Sequence, residues 1–199
     1  MDYIRHLCKD KKLRKLIEQQ EPFVLQRRKK VYLQLCYSIL SQQLSTKVAR
    51  VLHQRFLNVF EGKEPTPQQI LATPVTVFRN IGFSNAKASY VHNVAQFFAE
   101  NKITDASLYK MNNDDILDLL TQIKGVGKWT VEMILMFTLA REDVFAIDDL
   151  GLKQSVIKLY NIKEPDQRLL KEKIKKISLK WSPYRTYACR YLWGWKDSR

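Results

Sequence analysis

An all-α fold is predicted for this chain of 199 residues, and three observations predict it. Apolar residues recur at intervals of three and four through one segment after another, the spacing that gathers them on one face of a helix. Glycines and prolines number only six each, and several stand beside residues that cap helices. No run alternates apolar and polar residues long enough to announce a strand.

Taken in order, the first thirty residues predict a short basic helix around Leu13, Leu16 and Ile17, then a link at Glu21-Pro22-Phe23. A second helix over 29–40 carries Val31, Leu35 and Ile39 and ends at the polar interruption Ser41-Gln42-Gln43-Leu44-Ser45. Ser45 is placed to cap a third, which runs to about Phe60 through Val48, Leu52, Phe56 and Val59. Thr66-Pro67-Gln68-Gln69 reads as a capping box with proline at the first helical position, and Thr73-Pro74 repeats the cap-then-proline signal, so two short helices are expected. Ile81-Gly82-Phe83-Ser84 is a turn, after which Ser84 or Asn85 starts a helix through Val91, Val94, Ala95 and Phe98. Lys87, near the start of that helix, could reach a phosphate but reads first as solvated, and His92 as surface or satisfied core.

Next comes Thr121 to Leu150, the stretch that carries the chemistry. A helix over 114–120, with Asn112 as its N-cap and acidic residues in its first turn, leads to the tight turn Lys124-Gly125-Val126-Gly127. An apolar helix follows, with Val126, Met133, Ile134 and Phe137 on one face. Gly125 and Gly127 can adopt positive φ and admit another backbone where a Cβ would stand in the way. Unpaired N–H groups at the start of a helix, together with its dipole, favour an anion there, and Lys124 and Lys128 add charge. Taken alone, Gly-Val-Gly reads first as an ordinary helix corner with glycines for packing. Three further helices are predicted: one through Leu152, Val156 and Leu159, a lysine-rich one over 165–179, and a last one begun by Ser182-Pro183.

The formal net charge of +14 points to a polyanionic partner. Residues 1–30 hold ten Lys or Arg against four acids, and residues 163–199 hold eleven against four, whereas the 132 residues between them net only +1. Solubility alone does not require charge concentrated at both ends. Cys8, Cys36 and Cys189 are scattered, odd in number and without metal-ligand spacing, so reduced thiols are expected. The opening residues do not form a signal peptide, and no apolar run approaches the ~18–20 residues that span a membrane, so a soluble cytoplasmic protein is expected. In a eukaryote Arg27-Arg28-Lys29-Lys30 would read as a nuclear signal.

Three segments, in order, carry a resemblance: Ile39-Leu40-Ser41-Gln42-Gln43-Leu44-Ser45; Ile123-Lys124-Gly125-Val126-Gly127-Lys128-Trp129-Thr130 with Asp148-Asp149 some twenty residues on; and Trp181-Ser182-Pro183-Tyr184-Arg185-Thr186-Tyr187-Ala188 with Leu192-Trp193. Together they span roughly 36–195 and resemble the helix-hairpin-helix DNA glycosylases, within them the AlkA-type 3-methyladenine enzymes. The resemblance implies two helical lobes with a DNA-binding cleft. One is a central lobe over 36–140, with the helix-hairpin-helix at about 113–140, and the other is built from 1–35 plus 141–199. The concentration of charge at both ends agrees with that division.

By position in the family's pattern, Asp149 is the catalytic carboxylate, with Asp148 in support, although either residue could also simply cap the helix that follows. Gln43 would fill the space of an extruded nucleotide with Leu44 beside it; without the other segments this loop reads as a cap with two solvated glutamines. Lys124, Gly125, Val126, Gly127, Lys128 and Thr130 would bind the DNA backbone. The carbonyls of Thr121, Ile123 and Val126 would hold a monovalent cation, Na+ or K+, only with DNA bound, and no other cofactor is expected. Trp129, Trp193, Tyr184 and Met133 would line the base pocket, while Trp181 belongs to the core. Met133 stands where a tyrosine often lines the pocket of the enzymes resembled, so the base preference stays open.

Trp129 occupies the position where bifunctional members carry a lysine that attacks the sugar. The resemblance therefore implies a monofunctional, monomeric glycosylase. It would act on damaged double-stranded DNA with water as nucleophile, and it would have no lyase step and no membrane attachment. Two alternatives stay open at this point: a non-catalytic helix-hairpin-helix DNA-binding protein, and a glycosylase for deaminated bases.

Overall fold

A computed structural model describes residues 1–197. Among them are thirteen helices and no strand, as the composition and spacing predict: α1 Asp2–Leu7, α2 Lys11–Ile17, α3 Val31–Ser41, α4 Thr46–Asn58, α5 Pro67–Ala72, α6 Val75–Asn80, α7 Asn85–Glu100, α8 Asp105–Lys110, α9 Asn113–Leu120, α10 Lys128–Phe137, α11 Leu150–Tyr160, α12 Gln167–Leu179 and α13 Arg185–Asp197. None of the described helices is long and apolar enough to cross a membrane. The chain separates into two compact units, Arg27–Ile134 and Met1–Gln26 with Leu135–Arg199, the division falling within α10.

In the unit Arg27–Ile134, α3 is the most buried element: Val31, Leu33, Leu35, Cys36, Ile39 and Leu40 are all removed from solvent. It packs on α7 and α4, and α7 also receives α5 and α6. Phe56, Phe78 and Phe83 meet with ring centroids 5.6–5.9 Å apart, and His92 stands edge-on to Phe78. Among the described residues the buried Nε2 of His92 has no hydrogen-bond partner, which departs from the expectation of a satisfied imidazole.

Local capping signals form as predicted where they close within three residues. Ser45 Oγ accepts from Val48 N, Ser84 Oγ from Lys87 N, and Asn112 Oδ1 from Asp115 N. Thr66 and Gln69 make the reciprocal capping box. Thr73 is different. It ends α5, donating its hydroxyl back to Gln69 O at 2.9 Å, and Pro74 takes the cap position of α6 without a side-chain bond. One cap crosses the unit. Lys30 enters α3 at φ +58 with no side-chain cap of its own, and Asp105, at the start of α8, accepts from Lys30 N and Val31 N at 2.6 and 3.0 Å.

In the other unit α2 packs on α13 and α11, burying Leu13, Leu16 and Ile17. Asp10 caps α2 and also accepts from the Tyr160 hydroxyl and, at 3.3 Å, from the indole N–H of Trp181, which is fully buried as expected. Tyr3 stacks on Tyr187 at 3.9 Å. Arg185 grips Asp143 through Nε and Nη2 at 2.6 and 2.9 Å, and Ser182 Oγ donates to the same carboxylate. Burial alone would raise the Asp143 pKa, but the bonds from Arg185 and Ser182 outweigh it and hold the carboxyl below its ordinary value.

Candidate functional site

Three segments carry side chains singled out from the sequence, two in the unit Arg27–Ile134 and one in the other. The first is the hairpin between α9 and α10. Val126 N donates to Ile123 O at 2.9 Å, closing the turn, and Gly125 takes φ +103. A Cβ on Gly125 would lie 2.2 Å from Cγ of Tyr90 on α7, so this glycine is required both by its dihedral and by the ring packed against it. Asn93, one turn further along α7, donates to Lys124 O at 3.0 Å and fixes the turn from the same side.

Gly127 departs from expectation. Its φ is not positive, and a Cβ there would meet nothing within 4 Å. What Gly127 provides is an unobstructed surface at the head of α10, where another backbone can approach. Lys124 and Lys128 are exposed, the latter 3.9 Å from Glu132. The Thr130 side chain is 2% exposed, and its hydroxyl accepts from Gln42 Nε2 at 3.3 Å, so it ties the hairpin helix to the 41–45 loop. The carbonyls of Thr121, Ile123 and Val126 are neutral oxygens of the kind a hard cation takes; that of Ile123 already accepts one bond within the turn and keeps a second lone pair.

The second segment is the loop after α3. Gln43 is exposed at φ +59, an uncommon conformation for a residue with a Cβ, while Leu44 is half-buried. Leu44 lines an open cavity of about 320 Å3 with Ser41, Thr46, Ala49, Arg50 and His53. Lys87, expected to be solvated, instead reaches back to this loop and donates to Leu40 O at 2.8 Å and Gln42 O at 3.0 Å.

The third segment is the turn before α11. Asp149 is the N-cap of that helix: its Oδ1 accepts from Leu152 N at 2.8 Å and from the indole N–H of Trp193 at 3.0 Å. Capping and a chemical role are compatible, because the two donors fix the direction of the carboxylate. Asp148, its exposed neighbour, pairs with Lys171 at 2.6 Å. A Cβ at Gly151 would stand 3.2 Å from Asp149 Oδ1 and 3.2 Å from Lys196 Nζ, so a carboxylate and an ammonium flank that bare α-carbon. The Trp193 ring lies 5.6 Å from that of Phe137, which is 37% exposed despite its size.

Known proteins share much of this sequence and fold. Residues 36–179 match the model of the HhH-GPD superfamily of base excision DNA repair proteins. The chain belongs to that superfamily. It is 33% identical over 185 residues to DNA-3-methyladenine glycosylase 1 of Schizosaccharomyces pombe, covering 92% of this chain and 80% of that one. It is also 33% identical over 159 residues to the alkylbase DNA glycosidase-like protein mag2 of the same yeast, covering 78% and 73%. A solved structure of the S. pombe 3-methyladenine DNA glycosylase Mag1 in complex with abasic DNA superposes with a TM-score of 0.85 at 31% identity, covering 99% of this chain and 97% of that one.

As a member of this superfamily the chain presents its predicted pocket residues unevenly. Trp129 is 39% exposed, Met133 follows it by one turn of α10 and is half-buried, and Phe137 comes one turn later still. Tyr184, also expected in the pocket, has Tyr3, Tyr187 and His6 as its ring neighbours and sits in the aromatic cluster around α1. Three residues with a place at the site escaped the sequence reading. Phe137 and Gly151 gave a signal only in retrospect, as an aromatic one turn beyond Met133 and a glycine inside the first turn of a helix. Lys87 gave none, because its partners are carbonyls 45 and 47 residues away.

Proposed function

We propose that this protein is a monofunctional DNA N-glycosylase that extrudes alkylated purines of the 3-methyladenine and 7-methylguanine type from double-stranded DNA, and leaves an abasic site. The observation that carries the reading is the Asp149 carboxylate, fixed by Leu152 N–H and the Trp193 indole, in a chain whose hairpin helix bears Trp129 where a nucleophilic lysine would stand.

As the glycosidic bond breaks, its electron pair leaves with the base and positive charge builds on the deoxyribose. An alkylated purine that already carries positive charge departs neutral, so its bond is the weaker one. Asp149 stabilises the sugar cation electrostatically and orients the water that adds its oxygen to the anomeric carbon, the surplus proton passing to the carboxylate or to solvent. Trp129, Met133, Phe137 and Trp193 supply aromatic and polarizable surface that favours a cationic base by stacking and cation–π attraction. The N–H groups at the head of α10, with Lys124 and Lys128, hold a phosphate, and Gln43 with Leu44 fills the vacated space in the stack. The carbonyls of Thr121, Ile123 and Val126 would hold Na+ or K+ against that phosphate, where the ion supplies positive charge. The protein acts as a monomer.

The test is base release from methylated duplex DNA by the native protein and by Asp149→Asn, with and without subsequent alkali. Release by the native protein alone, with strand breaks only after alkali, is expected. Binding without release by either protein would instead make the chain a DNA-binding module. Release of hypoxanthine or uracil in place of methylated purines would move it to deaminated bases.

A further inference from the structure

Lys87 makes an unusual use of a lysine. It lies in the first turn of α7, half-buried, and its ammonium donates to the carbonyls of Leu40 and Gln42, the groups that α3 leaves open at its C-terminus. Helices commonly close such an end with a glycine in the left-handed region that turns the chain back on its own carbonyls. Here the residue in that region is Gln43, which has a side chain; the turn around it closes through Leu44 N donating to Ser41 O at 3.2 Å, and the carbonyls of Leu40 and Gln42 are left to Lys87. A non-glycine residue held there is strained and persists only where the surroundings determine it. Burial pulls the Lys87 pKa below its ordinary value, and the two carbonyl bonds offset that loss of water.

Both flanks of Gln43 are tied down while its own side chain stays exposed. Ser41 Oγ donates to Tyr37 O at 2.8 Å and lies 3.0 Å from His53 Nε2, Gln42 Nε2 donates to the buried Thr130 hydroxyl, and Leu44 N donates to Ser41 O. Lys87 is the one cation in this set, and it binds both α3 and the residue immediately before Gln43.

We infer that Lys87 is a positioning residue for base extrusion: its ammonium, bonded to the carbonyls of Leu40 and Gln42, holds the 41–45 loop so that Gln43 is presented to the duplex in a single conformation. The inference rests on the reading of Gln43 as the residue that fills the vacated stack. A lysine so engaged does not contact a phosphate, and this separates it from the exposed Lys124 and Lys128.

The experiment uses the full chain with Gln43→Ala, Lys87→Met and the double variant. It reads single-turnover base release from methylated duplex, the salt dependence of binding to abasic duplex, and amide hydrogen exchange over 41–45 in the free protein. Lys87→Met is expected to raise exchange in the loop at least about tenfold and to lower base release by about ten- to a hundredfold, the scale of a misplaced positioning group. In the Gln43→Ala background its further effect is expected to stay within about twofold, because the two residues act through one contact. The salt slope is expected to be unchanged.

Unaltered loop exchange, or an effect of Lys87→Met that is as large without Gln43 as with it, would overturn the inference. So would a salt slope reduced by about one, the mark of a lost phosphate contact. If Gln43→Ala behaves as native while Lys87→Met still loosens the loop, the role given to Gln43 fails and the lock does not. Should Lys87→Met not fold, Lys87→Gln is carried through the same series.

Discussion

Replacing Gly125 with alanine should damage the hairpin for two separable reasons. At φ +103 an alanine is strained, at a cost on the order of 1–3 kcal/mol. Its methyl group would also lie 2.2 Å from Cγ of Tyr90 and 2.6 Å from both Cδ atoms, where ordinary carbon contacts need about 3.5–4 Å. Those atoms are the root of the ring, so a flip about Cβ–Cγ does not clear them, and Tyr90 must leave its χ1 position or shift with α7. Overpacking of this kind costs about 1–3 kcal/mol. The two together predict a loss of about 2–6 kcal/mol, measured by urea or thermal unfolding with circular dichroism.

Tyr90→Ala should remove the second cost and leave the first. In a double-mutant cycle the pair should therefore be less destabilised than the sum of the singles by about 1–3 kcal/mol. Gly127→Ala is the control: with open space around it, it should change stability by less than about 1 kcal/mol. It should nevertheless weaken binding to abasic duplex at least about tenfold, because the methyl group occupies the approach of the phosphate. A stable Gly125→Ala, or strict additivity with Tyr90→Ala, would refute the packing argument. Unchanged DNA affinity in Gly127→Ala would refute the approach argument.

Trp193→Phe keeps the ring beside Phe137 but deletes the N–H to Asp149, and should lower single-turnover base release about tenfold with a change of about 1 kcal/mol in stability. Asp149→Ala should cost about 1 kcal/mol by uncapping α11 as well as abolishing base release, whereas Asp149→Asn keeps an acceptor for Leu152 N–H and should abolish release at near-native stability. Asp143 has a folded pKa below its ordinary 3.8, so its contribution to stability is complete above that value and is lost as the pH falls through the lower folded value. Urea unfolding from pH 5 down to pH 2 should show a loss that is shallower in Asp143→Asn, and equal slopes would remove Asp143 from the acid response. Asp148→Asn breaks only an exposed pair with Lys171 and should change stability by less than about 1 kcal/mol and leave base release unaltered.

How legible each element was depended on the distance over which its partners lie. Ser45, Thr66, Ser84 and Asn112 cap the helices assigned to them, because each cap closes onto an N–H three residues away. Thr73 carried the same written signal and failed, since its hydroxyl found Gln69 O behind it and Pro74 took its place. Helices α1 and α8 are six residues each, too short for periodicity to announce. The cap on α3 could not be read at all, because Asp105 reaches it across more than seventy residues.

The site divides in the same way. Composition, helical spacing and the order of three motifs determined an all-α chain, a glycine hairpin, a carboxylate at the head of α11 and membership of a superfamily. Each of these is written in residues close together or in a fixed order along the chain. Only the tertiary structure decided that Gly125 is required by the Tyr90 ring while Gly127 stands open, that Thr130 faces inward, and that Tyr184 joins the cluster around α1. It also decided that Trp193 orients Asp149 and that Lys87 holds the loop of Gln43. The physical reason is common to all of these. A side chain's direction is settled by what packs against it, and those neighbours lie tens of residues away, where local spacing carries no record of them.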